Sequence, residues 1–263
     1  IVNDKASLIS SLTVSHSTQL NNMLTVSGAT QLNSVLIVND KSSLQSALTV
    51  SGFTLLNNSL TVSGATSLNS TLIVNDKLSV QSALTVSGFT QLNNELTVSG
   101  TASLNSILIV NDKTSLISSL TVSGLTLLNN TLTVSGTSLL NSTLIVNDKT
   151  SLISSLSVSG SSLLNNTLIV SGQTTLKSTL LVNDTTTLLS SLIISGSSQL
   201  NNTLIVTGFT TLNSQLLVRD TVSLLSGLYV SGLTILNNPV TLNSTLTVQN
   251  AAQFNSTLNA NNN

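Results

Sequence analysis

Ser59–Ser82 reads SLTVSGATSLNS followed by TLIVNDKLSVQS, and in both halves the aliphatic residues Leu60, Val62, Leu68, Leu72, Val74, Leu78 and Val80 fall on even positions. Successive side chains of an extended chain face opposite sides, whereas a helix brings a face round every 3.6 residues. A period of two therefore predicts β-strands with one aliphatic and one polar side. Outward from this stretch the parity holds in both directions, back to Leu12 and Val14 and forward to Leu246, Val248, Phe254 and Leu258. A slip of one residue would turn the whole aliphatic set to the other side. The one irregularity, Pro239–Ser244 (PVTLNS), is six residues long and so preserves the facing.

The two halves of Ser59–Ser82 are copies of one unit of twelve, x-L-x-V-S-G-x-T-x-L-N-[NS], which runs without a slip from Ser11 to Asn238. Every third unit replaces Ser-Gly by Asn-Asp, which places Asp4, Asp40, Asp76, Asp112, Asp148, Asp184 and Asp220 thirty-six residues apart. Other units end in Asn-Asn, as at Asn21–Asn22, Asn57–Asn58 and Asn93–Asn94. Glycine accepts positive φ, and Asn and Asp tolerate it better than other residues, so Gly28 and its counterparts, and Asp40 in their place, predict left-handed bends between strands. One unit is too short to bury its own apolar side. Stacked units bury a continuous column, which is the logic of a solenoid. The chain divides into a regular shaft over 1–238, irregular terminal repeats over 239–258, and an Asn-rich tail over 259–263.

Parity alone leaves the coil open at twelve, eighteen, twenty-four or thirty-six residues, or at three intertwined chains each giving a twelve-residue face. A thirty-six-residue coil would stack all seven Asp about 4.8 Å apart, a costly like-charge line. A rise of one strand spacing per twelve residues would separate them by roughly 14 Å, beyond the Debye length of about 8–10 Å. A single twelve-residue coil is cramped, because packed sheets sit about 10 Å apart. The expectation is an all-β, elongated β-solenoid or β-helix fibre with a twelve-residue rise, with an intertwined homotrimer favoured. On the polar side, the Asn-Asp units place Ile37, Ile73, Ile109, Ile145, Leu181 and Leu217 outward, with Ile117, Ile153, Leu189 and Leu225 nearby in sequence. A row repeating every thirty-six residues predicts an assembly face.

Chemistry is sparse. Charged residues make up 6% of the chain, the net charge is −1, and there is one His and no Cys. Catalytic triads and His-ligated metal sites need more than His16 supplies; no metal, cofactor or enzymatic activity is expected. The Asp series admits Ca²⁺, but each Asp stands alone and mostly beside a Lys. A near-neutral chain gives no electrostatic case for nucleic acid, and no apolar run approaches the ~18 residues of a membrane span. No signal peptide is visible, and Ile1 opens in mid-pattern, so the expectation is a fragment or a processed product of a longer chain.

Segments such as Leu60–Val74 (LTVSGATSLNSTLIV) and Leu132–Val146 (LTVSGTSLLNSTLIV) resemble the repeat shafts of bacteriophage tail fibres and related viral or bacterial surface fibres. The resemblance implies a structural spacer at the virion surface or outside the cell, often trimeric, with a receptor-binding tip that this chain does not display. Two other classes compete with it. An adhesin stalk would favour aromatic platforms, but Phe53, Phe89, Phe209, Phe254 and Tyr229 form no regular ladder. An ice-binding solenoid needs flat ranks of outward Thr, and pairs such as Thr131 and Thr133 are not sustained.

Overall fold

The computed structural model describes residues 3–260; Ile1, Val2 and the last three residues of the Asn-rich tail, Asn261–Asn263, lie outside them. The described residues form a parallel β-solenoid of forty-three three-residue strands. The first coil sets the pattern with β1 (Ala6–Leu8), β2 (Leu12–Val14) and β3 (Thr18–Leu20), and the second repeats it with β4 (Leu24–Val26), β5 (Thr30–Leu32) and β6 (Leu36–Val38). β1 pairs with β4, β2 with β5 and β3 with β6, all parallel and all eighteen residues apart. Each coil thus has three faces of six residues, and like faces stack into three parallel sheets. Among the described residues there is no helix long and apolar enough to cross a membrane.

The chain divides into two compact units, Ile1–Asn130 and Thr131–Asn263. In unit 1 the register runs Ser42↔Leu60↔Leu78 on the first face, Leu48↔Thr66↔Leu84 on the second and Thr54↔Leu72↔Thr90 on the third. Unit 2 has the same arrangement, with Thr150↔Leu168↔Thr186 on its first face. The rise is therefore one strand spacing per eighteen residues, and the expected twelve-residue rise is corrected. One chain supplies all three faces of a coil, so the cramp of a twelve-residue coil is relieved by a third face rather than by two further chains.

Eighteen residues hold one and a half sequence units. A Leu-x-Val strand therefore stacks on a Thr-x-Leu strand in the next coil: Leu72 lies against Thr54 and Thr90, and Val74 against Leu56 and Leu92. Long side chains mostly alternate with short ones along the inward columns, with Leu60, Leu78 and Leu96 the exception on the first face, which lets the layers interdigitate at the density of protein interiors. The aliphatic set is almost wholly enclosed, with Leu32, Leu48, Leu72, Val74, Leu108 and Val146 at 0% exposure. Two coils hold three units, so the thirty-six-residue super-repeat is the shortest block after which sequence and coil return to phase.

The bends do not use left-handed backbone. No described residue, glycine or other, has positive φ, which corrects the expected role of Gly28, its counterparts and Asp40. The edge glycines are demanded by close approach instead. A Cβ on Gly88 would lie 2.5 Å from the carbonyl carbon of Ser70, one coil away. Gly100 and Gly124 approach closely enough for their N–H groups to donate to the carbonyls of Ser82 and Ser106, both at 3.2 Å.

The inward Thr and Ser of the Thr-x-Leu strands are buried as fully as the aliphatics, and hydroxyls such as those of Thr66, Thr90 and Thr114 have no hydrogen-bond partner. Burying an unbonded hydroxyl costs about 1–3 kcal/mol in proteins. A short branched side chain is the common occupant of the position opposite Leu, although Leu78 fits, buried, between Leu60 and Leu96. The chain itself places buried Val222 and Val240 at equivalent positions. Replacing Thr66, Thr90 and Thr114 by Val should therefore stabilise unit 1 by about 1 kcal/mol per site. Urea unfolding checks this; a destabilised triple variant would show that the hydroxyls are bonded in solution.

The half-unit at Pro239 occupies one face and reverses the alternation. Val240 lies on Val222 and Leu242 on Leu224, like on like. The ladder loosens there, with Val222 N–H to the Pro239 carbonyl at 3.4 Å and Asn237 N–H to the Val218 carbonyl at 3.3 Å. Proline's missing donor and the mismatched packing act together at this point.

Candidate functional site

Two surface features are built by the coil: the edge between the third and first faces, and the outward side of the third face. At the edge, Asn3, Asn21, Asn39, Asn57, Asn75 and Asn93 stack at consecutive coils. Each amide nitrogen donates to the side-chain oxygen of the Asn eighteen residues earlier, at 2.7–2.8 Å. Unit 2 carries its own ladder through Asn147, Asn165, Asn183 and Asn201. Arg219 interrupts it, and the Asn238 amide donates to the Arg219 carbonyl at 2.9 Å. Sequence reading missed this ladder. The signal was present, because the Asn of Asn-Asp and the first Asn of Asn-Asn are offset by eighteen.

The Asp series lies one residue beyond the ladder: Asp4, Asp40, Asp76 and Asp112 fall on this edge in unit 1, and Asp148, Asp184 and Asp220 on the corresponding edge of unit 2. Asp40, Asp76 and Asp112 occupy alternate coils, with Asn58 and Asn94 between them. The carboxylates are therefore two strand spacings apart, about 9.6 Å, and an amide separates each pair. Asn94 donates to Asp76 at 3.1 Å, Asn166 to Asp148 at 3.1 Å and Asn202 to Asp184 at 3.0 Å. Hydroxyls complete the shell: Ser59 donates to Asp76 at 2.6 Å and Thr167 to Asp184 at 3.1 Å. Asp and Asn also cap the bend in the same way, with Lys41 N–H donating to Asp40 at 2.8 Å and Ser59 N–H to Asn58 at 2.8 Å. The Thr185 backbone N–H, followed by the Thr167 hydroxyl, holds the Asp184 carboxyl below the usual carboxylate range. Lys77 and Glu95 pair at 3.7 Å, an exposed contact worth at most about 1 kcal/mol. Among the described residues no three His, Cys, Asp or Glu side chains gather in one place. Asp4 heads the series and Asp220 closes it, where Asn238 approaches at 3.4 Å.

The third face carries the outward aliphatics. In unit 1 the central column runs Ile37, Leu55, Ile73, Gln91, Ile109, Leu127 at consecutive coils. In unit 2 it runs Ile145, Leu163, Leu181, Gln199, Leu217, Ile235. The row is denser than the sequence suggested, because the Leu residues of the intervening coils fill the gaps. Val35, Phe53, Phe89, Ile107 and Leu125, with Thr71 among them, precede these strands in unit 1 and widen the apolar strip, whereas unit 2 is mostly polar there, with Thr143, Ser161, Thr179, Ser197 and Gln215 before Leu233. The corresponding column of the first face is Thr25, Ser43, Thr61, Ser79 and Thr97. Ile117, Ile153, Leu189 and Leu225 do not join the third face. They project from the edge between the first and second faces, 50–62% exposed.

No protein-family model, curated protein or solved structure matches this chain.

Proposed function

We propose that this chain is a structural spacer of a fibre and that copies associate laterally through the third face of the coil. The apolar column of that face carries the reading. Its outward positions in unit 1 hold no charged side chain, so two copies meet there without like-charge repulsion. Both copies also present ranks about 4.8 Å apart, so the ridges of one match the grooves of the other at the ~10 Å spacing of packed sheets. Seven strands by about four residues give roughly 440 Å² per copy in unit 1. The total of about 880 Å² is below the ~1,200 Å² of stable specific interfaces and is that of a weak contact, which gains strength when multiplied along an assembly. The repeat-level resemblance to fibre shafts supports an extracellular or virion-surface setting, with receptor contact made by another segment. The sparse titratable chemistry favours a spacer over an enzyme.

The test is sedimentation of the chain with Ile37, Ile73 and Ile109 replaced by Thr, which keeps the β-preference and adds polarity. Wild type should sediment as assemblies and the variant as single chains, with melting changed by no more than about 0.5 kcal/mol. Equal sedimentation of the two would leave the third face as ordinary surface.

A further inference from the structure

The second face of unit 2 carries Phe209, Gly227 and Tyr229 where other coils mostly have small or polar residues, and the coil brings them together. Phe209, Gly227 and Thr245 stand one above another at consecutive coils, beside Thr211, Tyr229 and Thr247. Tyr229 is the chain's one tyrosine. The edge glycines abut the backbone of a serine one coil away, but Gly227 abuts side chains. A Cβ there would lie 2.9 Å from Cε1 of Phe209 and 3.2 Å from Oγ1 of Thr245. The Phe209 ring therefore lies against the bare Cα of Gly227, yet Phe209 is 64% exposed. One side of the ring rests on the coil and the other faces solvent. Beside it is a shallow notch of about 90 Å³ lined by Thr211, Tyr229, Thr245 and Thr247 as well as the ring.

We infer that this notch binds a pyranose ring of a neutral saccharide. A flat aromatic ring seated on the coil offers its π-face to solvent, and the C–H face of a pyranose is the ligand surface that matches it. Four hydroxyl-bearing side chains surround the ring, each able to donate and accept, which suits a polyhydroxylated partner. The lining carries no charge, so anionic and cationic ligands gain nothing there. A small apolar platform with a few polar groups around it is the general form of a ligand site. Sequence reading set the aromatics aside because they form no ladder. Phe209 and Tyr229 are twenty residues apart, a spacing that has meaning only for an eighteen-residue coil.

The experiment is saturation-transfer NMR on the full chain with maltohexaose, cellohexaose and chitohexaose as probes. At least one should receive saturation on its ring C–H protons, with a dissociation constant of about 1 mM. Phe209→Ser, which restores the chemistry of Ser191 one coil earlier, and Tyr229→Thr should each weaken binding about five-fold with the β-spectrum unchanged. Gly227→Ala displaces the ring from its support and should weaken binding similarly while keeping both aromatics. Absence of transfer to all three sugars would overturn the assignment, as would equal transfer to wild type and Phe209→Ser. Because the notch is on the second face, Ile37, Ile73 and Ile109 substitutions should leave it unaffected, so its failure and that of the lateral contact are read separately.

Discussion

Replacing Gly64 by alanine is expected to destabilise unit 1 by about 3 kcal/mol, the upper end of overpacking costs. The added Cβ would lie 2.5 Å from the carbonyl carbon of Ser46 and 2.6 Å from the nitrogen of Ala47. Both atoms belong to backbone held by the ladder, where Thr30 N–H donates to the Ala47 carbonyl at 2.8 Å and Ser63 N–H to the Leu44 carbonyl at 2.9 Å. No rotamer change relieves the contact; the coils must separate at that edge. Gly227→Ala meets a ring that can swing away and should cost about 1 kcal/mol or less. Stacked coils behave nearly as nearest-neighbour arrays, so the loss should be local, with faster amide exchange at Ser63–Thr66 than at distant coils. Urea unfolding and hydrogen exchange of the two variants check this. If Gly64→Ala proves as stable as wild type, the close approach of the coils is not real.

Removing thirty-six residues, Ser59–Asn94, should leave a protein that folds and assembles like the parent with two coils fewer. Removing only twelve, Ser59–Ser70, should not, although the sequence repeat stays intact. After the shorter deletion, Leu72 and Val74 take the places of Leu60 and Val62 over Ser42 and Leu44, so the inward alternation survives. The outward side does not survive, because everything beyond the junction turns by two faces. Ile73 moves to the first face and the aliphatic column is split. The ladder that ended at Asn57 next meets Ser87, and Asp76 lands over Ser46, where the native chain has Gly64. We expect retained β-content, a local loss of about 2–3 kcal/mol from the misplaced Asp76, and lateral association weakened at least ~100-fold. Circular dichroism and sedimentation of the two deletions decide the matter. A coil of twelve residues would make the short deletion the harmless one.

The contrast shows what the sequence made legible. Twelve, eighteen, twenty-four and thirty-six are all even, so the inward parity of Leu60, Val62 and Leu68 is the same for each coil length. Burial was therefore readable and coil length was not. Coil length was written on the outward side, in the eighteen-residue offset between Asp40 and Asn58, which becomes meaningful only when the two series are interleaved. The buried Thr66 and Thr90 share the even parity, but a hydroxyl on an aliphatic side reads as noise until the opposing Leu is known. The glycines were assigned the wrong cause, since a bend and a close approach both call for a missing Cβ. The third-face aliphatics were found at every second coil, and Leu55 and Leu127 were missed because they belong to units of the other type.

The Asn ladder has a consequence for the conditions this protein can tolerate. Its bonds join groups that neither gain nor lose a proton between strong acid and strong alkali, and ions in the medium screen them little compared with paired charges. In the Asp column beside it, Asp76, Asp148 and Asp184 accept from amides that need no counter-ion. An edge held this way keeps its bonding from brackish to dilute water and through wide swings of acidity, where a seam of salt bridges would loosen. For a chain in which only 6% of residues are charged, durability in a variable medium follows from the chemistry of one repeated amide.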